Sequence, residues 1–207
     1  MTTHRLEPLL NPASIAIVGA SSNPARIGGM PLAHLTRFGY AGRIYPINPK
    51  YEEVFGLRCW RDIEALPAAP DLAVLAIAAQ DVLPMLRRCA AKGVRTAIVY
   101  AAGFAEAGAQ GAALQAELEA FVAGTDMVVA GPNAMGFANL NSQAHTSFAS
   151  VFSTAPMQQG PGSVSLLTQS GNVCAAVYAI ARRLGVDFSH FINTGNEACV
   201  DFAQYLE

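Results

Sequence analysis

Charge is scarce in this chain. Only 14% of its 207 residues are Asp, Glu, Lys or Arg, and the formal balance is −2. A basic surplus is absent, which excludes nucleic-acid phosphate as the main partner. No apolar run approaches the ~18 residues of a membrane span. The N-terminus, Met-Thr-Thr-His-Arg, is no secretory signal, so a cytoplasmic protein is expected. Cys59, Cys89, Cys174 and Cys199 are not spaced as a metal or redox pair and read as free buried thiols. A Ser/His/Asp triad, a metal cluster and a P-loop are all missing. His4, His34, His145 and His190 fall in the tail, a helix, a polar stretch and a strand, and each takes a structural reading.

What is present is hydrophobic residue and glycine, at 52% and 18 positions. Together with the low charge, this is the composition of a parallel sheet buried on both faces. Apolar runs predict strands at Ile15–Gly19, Arg43–Asn48, Leu72–Ile77, Thr96–Ala101 and Met127–Ala130. Between them, helical spacing of apolar residues predicts helices near Gly28–Phe38, Gln80–Lys92 and Ala112–Val122, with a short turn of helix at Asp62–Leu66. Strands and helices in alternation imply right-handed crossovers and a Rossmann-like, doubly wound parallel sheet. Ligands of such sheets bind at the carboxyl ends of the strands. Here those ends carry Gly19, Asn48, Ala78-Ala79, Gly103-Phe104 and Gly131-Pro-Asn133.

The first of these ends is the most informative. Ile15-Ala-Ile-Val-Gly19 breaks into Ala20-Ser21-Ser22-Asn23 before the first helix. Small residues let a phosphate approach the backbone, and the following helix N-terminus offers free N–H groups. The dinucleotide pattern G-x-G-x-x-G is not met, however, and no Asp or Glu ends the second strand to hold a ribose. Asn48-Pro-Lys50 stands there instead. Asn48 suits a ribose or base, and Lys50 is either a phosphate partner or an ordinary surface lysine. A ligand with a phosphate on its ribose fits, which means NADP or coenzyme A.

A polar, irregular linker (residues 141–161) ends in Gly160-Pro-Gly162, and the alternation restarts. Ser163–Thr168 reads as a strand, Val173–Leu184 as a helix, Val186–Thr194 as a strand, and Ala198–Glu207 as the start of a helix. A unit of about 47 residues cannot bury a core alone. It is expected to be truncated or completed by another chain, with apolar surface at Val164, Leu166, Phe188 and Phe191. Ser170-Gly171-Asn172 opens its first helix, either as a plain N-cap or as an anion site.

Six segments in order carry a resemblance: Val18-Gly-Ala-Ser-Ser22, Tyr45-Pro-Ile-Asn-Pro-Lys50, Tyr100-Ala-Ala-Gly-Phe-Ala-Glu106, Gly131-Pro-Asn-Ala-Met-Gly136, Leu167-Thr-Gln-Ser-Gly171 and Thr194-Gly-Asn-Glu-Ala-Cys-Val-Asp201. The chain resembles the N-terminal part of nucleoside-diphosphate-forming acyl-CoA synthetases, the superfamily of succinyl-CoA ligase α-subunits and ADP-forming acetate–CoA ligases. The resemblance implies a CoA-binding domain over residues 1–140 and an incomplete flavodoxin-like ligase unit over 162–207. It implies CoA contacts at Gly19, Ala20, Ser21, Ser22, Arg26, Asn48, Lys50, Ala78, Ala79, Gly103, Phe104 and Asn133, and a phosphoryl-receiving helix start at Ser170, Gly171 and Asn172. Acyl phosphate, a phosphohistidine and CoA meet between the domains of this family, and ATP or GTP is made or consumed with Mg²⁺. The phosphohistidine is expected beyond Glu207, and the remaining ligase and ATP-grasp domains in the same polypeptide or a partner subunit. This chain alone is then expected to be inactive and to associate. Position 134 departs from the family, with Ala134 where Cys is usual. Two other classes stay open: a non-catalytic CoA-binding or regulatory module, and an NADP-dependent oxidoreductase.

Overall fold

The computed structural model describes residues 4–206. After a short helix α1 (Glu7–Leu10), the first sheet is built from β1 (Ser14–Val18), β2 (Arg43–Ile47), β5 (Leu72–Leu75), β6 (Thr96–Val99) and β7 (Val128–Ala130), in the order β2-β1-β5-β6-β7. Every pairing in it is parallel. A small hairpin, β3 (Glu53–Val54) and β4 (Leu57–Arg58), follows β2.

The apolar strands divide by the period of two. Ile15 and Ile17 of β1, with Leu72 and Val74 of β5, face α2 (Met30–Arg37) through Leu32 and Leu35. Ala16 and Val18, with Ala73 and Leu75, face α3 (Ala79–Lys92) and α4 (Ala109–Ala123) through Val82, Leu86 and Leu118. Both faces are therefore covered, the arrangement that near-continuous apolar strands require. Helix α3 ends at Gly93, whose φ of 93° turns the chain out in the left-handed conformation.

A second sheet, in the order β10-β11-β8-β9, joins β8 (Gly136–Asn139), β9 (Ala144–His145), β10 (Val164–Thr168) and β11 (Phe188–Asn193). β10 and β11 run parallel, while β8 lies antiparallel between β11 and β9. Helix α5 (Val151–Thr154) and helix α6 (Gly171–Arg183) pack on it, around Phe152, Cys174, Tyr178, Phe188 and Phe191.

Four expectations change. Residues 141–161 are not a solvated polar linker, because Ala144, His145, Thr146, Ser147, Ala149, Val151 and Phe152 are buried there. Their small and polar side chains hide this in the sequence: Thr146 and Ser147 satisfy their hydroxyls on the carbonyls of Phe137 and Met135. Asp62–Leu66 forms turns rather than helix, Asp62 accepting from the N–H of Ala65. Among the described residues beyond Ala198, only a single 3₁₀ turn forms, at Ala203–Tyr205. Val164 at the β10 edge is exposed as expected, but Phe188 and Phe191 are buried, and an apolar stripe along α6, Val173, Val177, Ile180 and Leu184, is exposed that was not foreseen. Among the described residues no helix is long and apolar enough to cross a membrane.

Candidate functional site

The turn after β1 is closely packed. Gly19 has φ +85°, and a Cβ there would lie 2.3 Å from the Ala76 carbonyl oxygen. A Cβ on Gly28 would lie 2.0 Å from the Gly19 oxygen. Glycine is therefore required at both ends of the loop. Inside it, the Ser21 hydroxyl accepts from the N–H of Asn23, and the Asn23 side chain accepts from the N–H of Ala25. Asn48 binds this loop to the next strand. Its amide donates to the Ala20 carbonyl at 2.8 Å, and its oxygen accepts from the N–H of Lys50 at 3.0 Å.

Gly19, Asn48 and Lys50 line a cavity of about 650 Å³ at the carboxyl ends of β1 and β2. Its apolar wall is Ile47, Ile77, Pro84 and Met85. Beside it lies a cavity of about 430 Å³ with a cationic lining of Lys50, Arg58 and Arg61, against one carboxylate, Glu52. Pro49, Lys50 and Arg61 border both, so two cations stand on the ridge between a mainly apolar pocket, which Asp62, Asp81 and Arg88 also border, and a polar one. The Arg58 guanidinium is held 4.0 Å from the Trp60 ring centroid. Neither arginine has a sequence signal, because the hairpin that carries Arg58 has only two-residue strands and Arg61 lies in the loop after it.

A third cavity, about 550 Å³, opens between the two sheets. It brings Asn133 together with Ser170, Gly171 and Asn172, and adds Tyr100, Glu106 and Asn196. Asn133 has φ 55° and is tied to Asn196 by a side-chain bond of 3.3 Å. Ser170 caps α6, accepting from the N–H of Val173 at 3.4 Å. Glu106 accepts from the N–H of Gly103 at 2.6 Å, from that of Phe104 at 3.2 Å, and from the Asn196 amide. Partial burial pushes its carboxyl up, but the hydrogen bonds from Asn196 and the two backbone N–H groups outweigh this. The net effect holds it below the ordinary carboxylate range.

The remaining sequence candidates divide. Ala79 and Gly103 adjoin, since a Cβ on Gly103 would sit 3.5 Å from that of Ala79. Ala78 is exposed just ahead of α3. Phe104 is not a cavity wall: it is 2% exposed and packs in the core with Leu118. Ala20 is fully buried, and Ser21, Ser22 and Arg26 lie on the turn and line none of these three cavities. Ala134 is 1% exposed, so the departure from Cys falls in the core beside Gly131 and not on the cleft wall. Asp201 caps the last 3₁₀ turn through the N–H of Gln204, and Glu197 accepts from the Thr194 hydroxyl.

The histidines do structural work. His34 is buried with its ring nitrogens on the Ser147 carbonyl and the Ser153 hydroxyl. His145 stacks on Phe38 at 4.3 Å and meets Phe152 edge-on at 4.9 Å. Burial pushes its pKa down to about 3. No group of three or more His, Cys, Asp or Glu side chains able to hold a metal ion occurs among the described residues.

Known proteins share this fold. Residues 13–139 match the CoA binding domain family, and residues 161–207 match the succinyl-CoA ligase like flavodoxin domain. The chain is 34% identical over 206 residues to trans-feruloyl-CoA synthase FCS1 from an unknown prokaryotic organism, covering 100% of this chain and 29% of that protein. It is 34% identical over 202 residues to acetate–CoA ligase [ADP-forming] I of Archaeoglobus fulgidus, covering 98% and 28%. Among solved structures, a dinucleotide-forming acetyl-coenzyme A synthetase 1 of Ca. Korarchaeum cryptofilum, in complex with phosphate and ADP, superposes with a TM-score of 0.89 at 32% identity, over 99% of this chain and 42% of that one. The chain thus spans less than a third of the two curated relatives and less than half of the solved one. A parallel β2-β1-β5-β6-β7 sheet, a glycine-bound turn after β1 and a match over residues 13–139 together place this chain in the CoA binding domain family.

Proposed function

We propose that the chain is the CoA-binding part of a nucleoside-diphosphate-forming acyl-CoA synthetase, which makes or uses an acyl-CoA thioester coupled to ATP and ADP through acyl phosphate and a phosphohistidine. The observation that carries this reading is the cationic ridge of Lys50 and Arg61 between an apolar and a polar cavity, one end of a row of strand termini whose other end is the Asn133–Ser170 cleft. The adenine of CoA fits the wall of Ile47, Ile77 and Met85, and its ribose phosphate fits the ridge. The backbone around Gly19 takes the diphosphate, on a turn that Gly19 and Gly28 allow to close tightly. The pantetheine arm then crosses Ala79 and Gly103 to reach Asn133.

At the cleft, the thiolate attacks the acyl carbon of an acyl phosphate. The C–S bond forms, the bond from the acyl carbon to the phosphate oxygen breaks, and phosphate leaves with the electron pair. The start of α6, with the N–H groups that open a helix and the Asn172 side chain, suits the departing anion. Phosphoryl transfer to histidine and on to the nucleotide belongs to residues outside this chain. Mg²⁺ is expected to come with the nucleotide, and no group of three or more His, Cys, Asp or Glu side chains among the described residues forms a metal site. Partner domains or a partner subunit supply these steps in the cytoplasm, and the apolar stripe on α6 and the open edge of β10 are compatible with such a contact. Acetate is one acid of this class, being the one named for the Archaeoglobus relative.

Calorimetric titration tests the reading. CoA is expected to bind about tenfold tighter than dephospho-CoA, the value of one charge-assisted contact, and NADP more weakly than either. Lys50→Ala narrows the gap between the first two. Equal affinity for CoA and dephospho-CoA, or tighter binding of NADP, would sink the assignment.

A further inference from the structure

Three strand-end loops from both sheets meet at one carboxylate. Glu106 follows β6, Asn133 follows β7, and Asn196 follows β11. The backbones of the last two are already interlocked. The N–H of Asn196 donates to the Pro132 carbonyl at 2.9 Å, the N–H of Ala198 donates to that of Gly131 at 3.0 Å, and a Cβ on Gly195 would lie 2.3 Å from the Pro132 oxygen. On this contact sits a chain of side-chain bonds with a defined polarity. Asn196 donates from its amide nitrogen to Glu106 and, at 3.1 Å, to Gln115 of α4. Its oxygen accepts from the Asn133 amide at 3.3 Å. The direction is set from the Glu106 end, because an ionised carboxylate only accepts, and its other oxygen is committed to the N–H groups of Gly103 and Phe104. Were the Asn196 amide turned around, oxygen would face carboxylate, and nitrogen would face the Asn133 nitrogen.

We infer that Glu106 is a positioning residue for the cleft: by fixing the orientation of Asn196 it holds Asn133, and it locks the turn after β11 against the loops of the first sheet. The inference rests on the proposed CoA reading for the role of Asn133 at the pantetheine end. The latch itself rests only on the hydrogen bonds. It makes one rigid wall from elements whose Cα positions are set by two different sheets. An arrangement of this kind pre-organises a site, since the amide that meets the ligand needs no reordering when the ligand arrives.

The polarity supplies the test. In Glu106→Gln the introduced amide keeps its oxygen toward Gly103 and Phe104 and so turns its nitrogen against the nitrogen of Asn196. In Asn196→Asp two carboxylates face each other. Combined, the two changes restore a donor opposite an acceptor, with the direction of that bond reversed. Two readouts are measured on wild type, both single variants and the pair. The first is amide hydrogen exchange at Asn196 and Ala198. The second is calorimetric affinity for CoA and for adenosine 3′,5′-bisphosphate, which carries only the nucleotide end. Each single variant is expected to speed exchange at both amides and to weaken CoA about tenfold, leaving the bisphosphate within twofold of wild type. The pair is expected to return CoA affinity to within about threefold, with exchange slowed again. The latch is overturned if Glu106→Gln leaves exchange and CoA affinity unchanged, if the bisphosphate weakens as much as CoA, or if the pair is no better than the worse single variant. Should wild type bind neither ligand, the CoA reading fails, and the exchange measurements still decide the latch. If Glu106→Gln does not fold, Asn196→Asp and the pair carry the same comparison.

Discussion

Replacing His145 with phenylalanine should flatten the acid limb of this protein's stability curve. His145 is 3% exposed between Phe38 and Phe152, and its Nδ1 has no hydrogen-bond partner among the described residues. Burial is the main cause of its lowered pKa, with a smaller contribution from the charge of His34. A base whose folded-state pKa lies below its unfolded value of 6.5 favours folding only while neutral. Its stabilisation is present in full above pH 6.5 and is lost as pH falls from there toward about 3. At pH 5 the unfolded chain is already about 97% protonated at this site while the folded chain is not, a loss of about 2 kcal/mol. That figure is insensitive to the folded value, provided it stays below about 4. The substitution His145→Phe keeps the stack on Phe38, forfeits one bond from Nε2 to Gln143, and has room in an adjoining cavity of about 220 Å³. Urea unfolding at pH 7.5 and pH 5.0 gives two stabilities for each protein. The drop between them should be about 2 kcal/mol smaller for the variant, since the carboxylates titrate alike in both. Equal drops would refute the reasoning, because they would mean that His145 charges without cost in the folded state.

Other outcomes follow from named contacts. Gly28→Ala puts a Cβ 2.0 Å from the Gly19 oxygen and should abolish CoA binding by calorimetry while far-ultraviolet circular dichroism still reports a folded chain. Arg61→Ala, on the ridge shared by the two nucleotide-end cavities, should lower the preference for CoA over dephospho-CoA by about threefold to tenfold and flatten its salt dependence. Arg182 is 6% exposed and donates to the carbonyls of Pro156, Met157 and Val186 and to Asp187. Thermal unfolding of Arg182→Ala should show a loss of roughly 3 kcal/mol, the cost of leaving those partners unsatisfied. Ser170→Ala removes the α6 cap and should cost about 1 kcal/mol in the same assay.

The first sheet was legible because its strands are short apolar runs and its helices carry apolar residues at helical spacing, signals that need no tertiary information. The turn after β1 was marked by Gly19 and the small residues that follow it, whereas the role of Gly28 in closing it shows only through backbone approach. What escaped was decided by contacts between distant segments. β8 is only Gly-Phe-Ala-Asn, and it becomes a strand because β11 lies beside it, His190 opposite Asn139 and Ile192 opposite Phe137. Thr146 and Ser147 look solvated until their carbonyl partners are seen. In the candidate site, Asn48 and Asn133 stood out by residue type and place. Glu106 and Asn196 did not pair on paper, because 90 residues separate them. Phe104 was placed on the groove by the family resemblance, which carries over a position without saying which way its ring turns.

The crossing of the chain from one sheet to the other has a consequence for how such proteins can be recombined. β7 ends at Ala130 in the first sheet, and β8 begins at Gly136 in the second, where it covers the edge of β11. A splice made at residue 140, the seam that the family resemblance implies, would carry β8 away with the wrong partner. Both products would then be sticky: one with a strand that has no sheet, the other with a bare β11 edge open to foreign strands. Gene fusion and fission that keep both products soluble must instead join or part within residues 131–135. Those same residues include Asn133, so a modular exchange at this seam cuts through the ligand cleft, and the two units are expected to be inherited together.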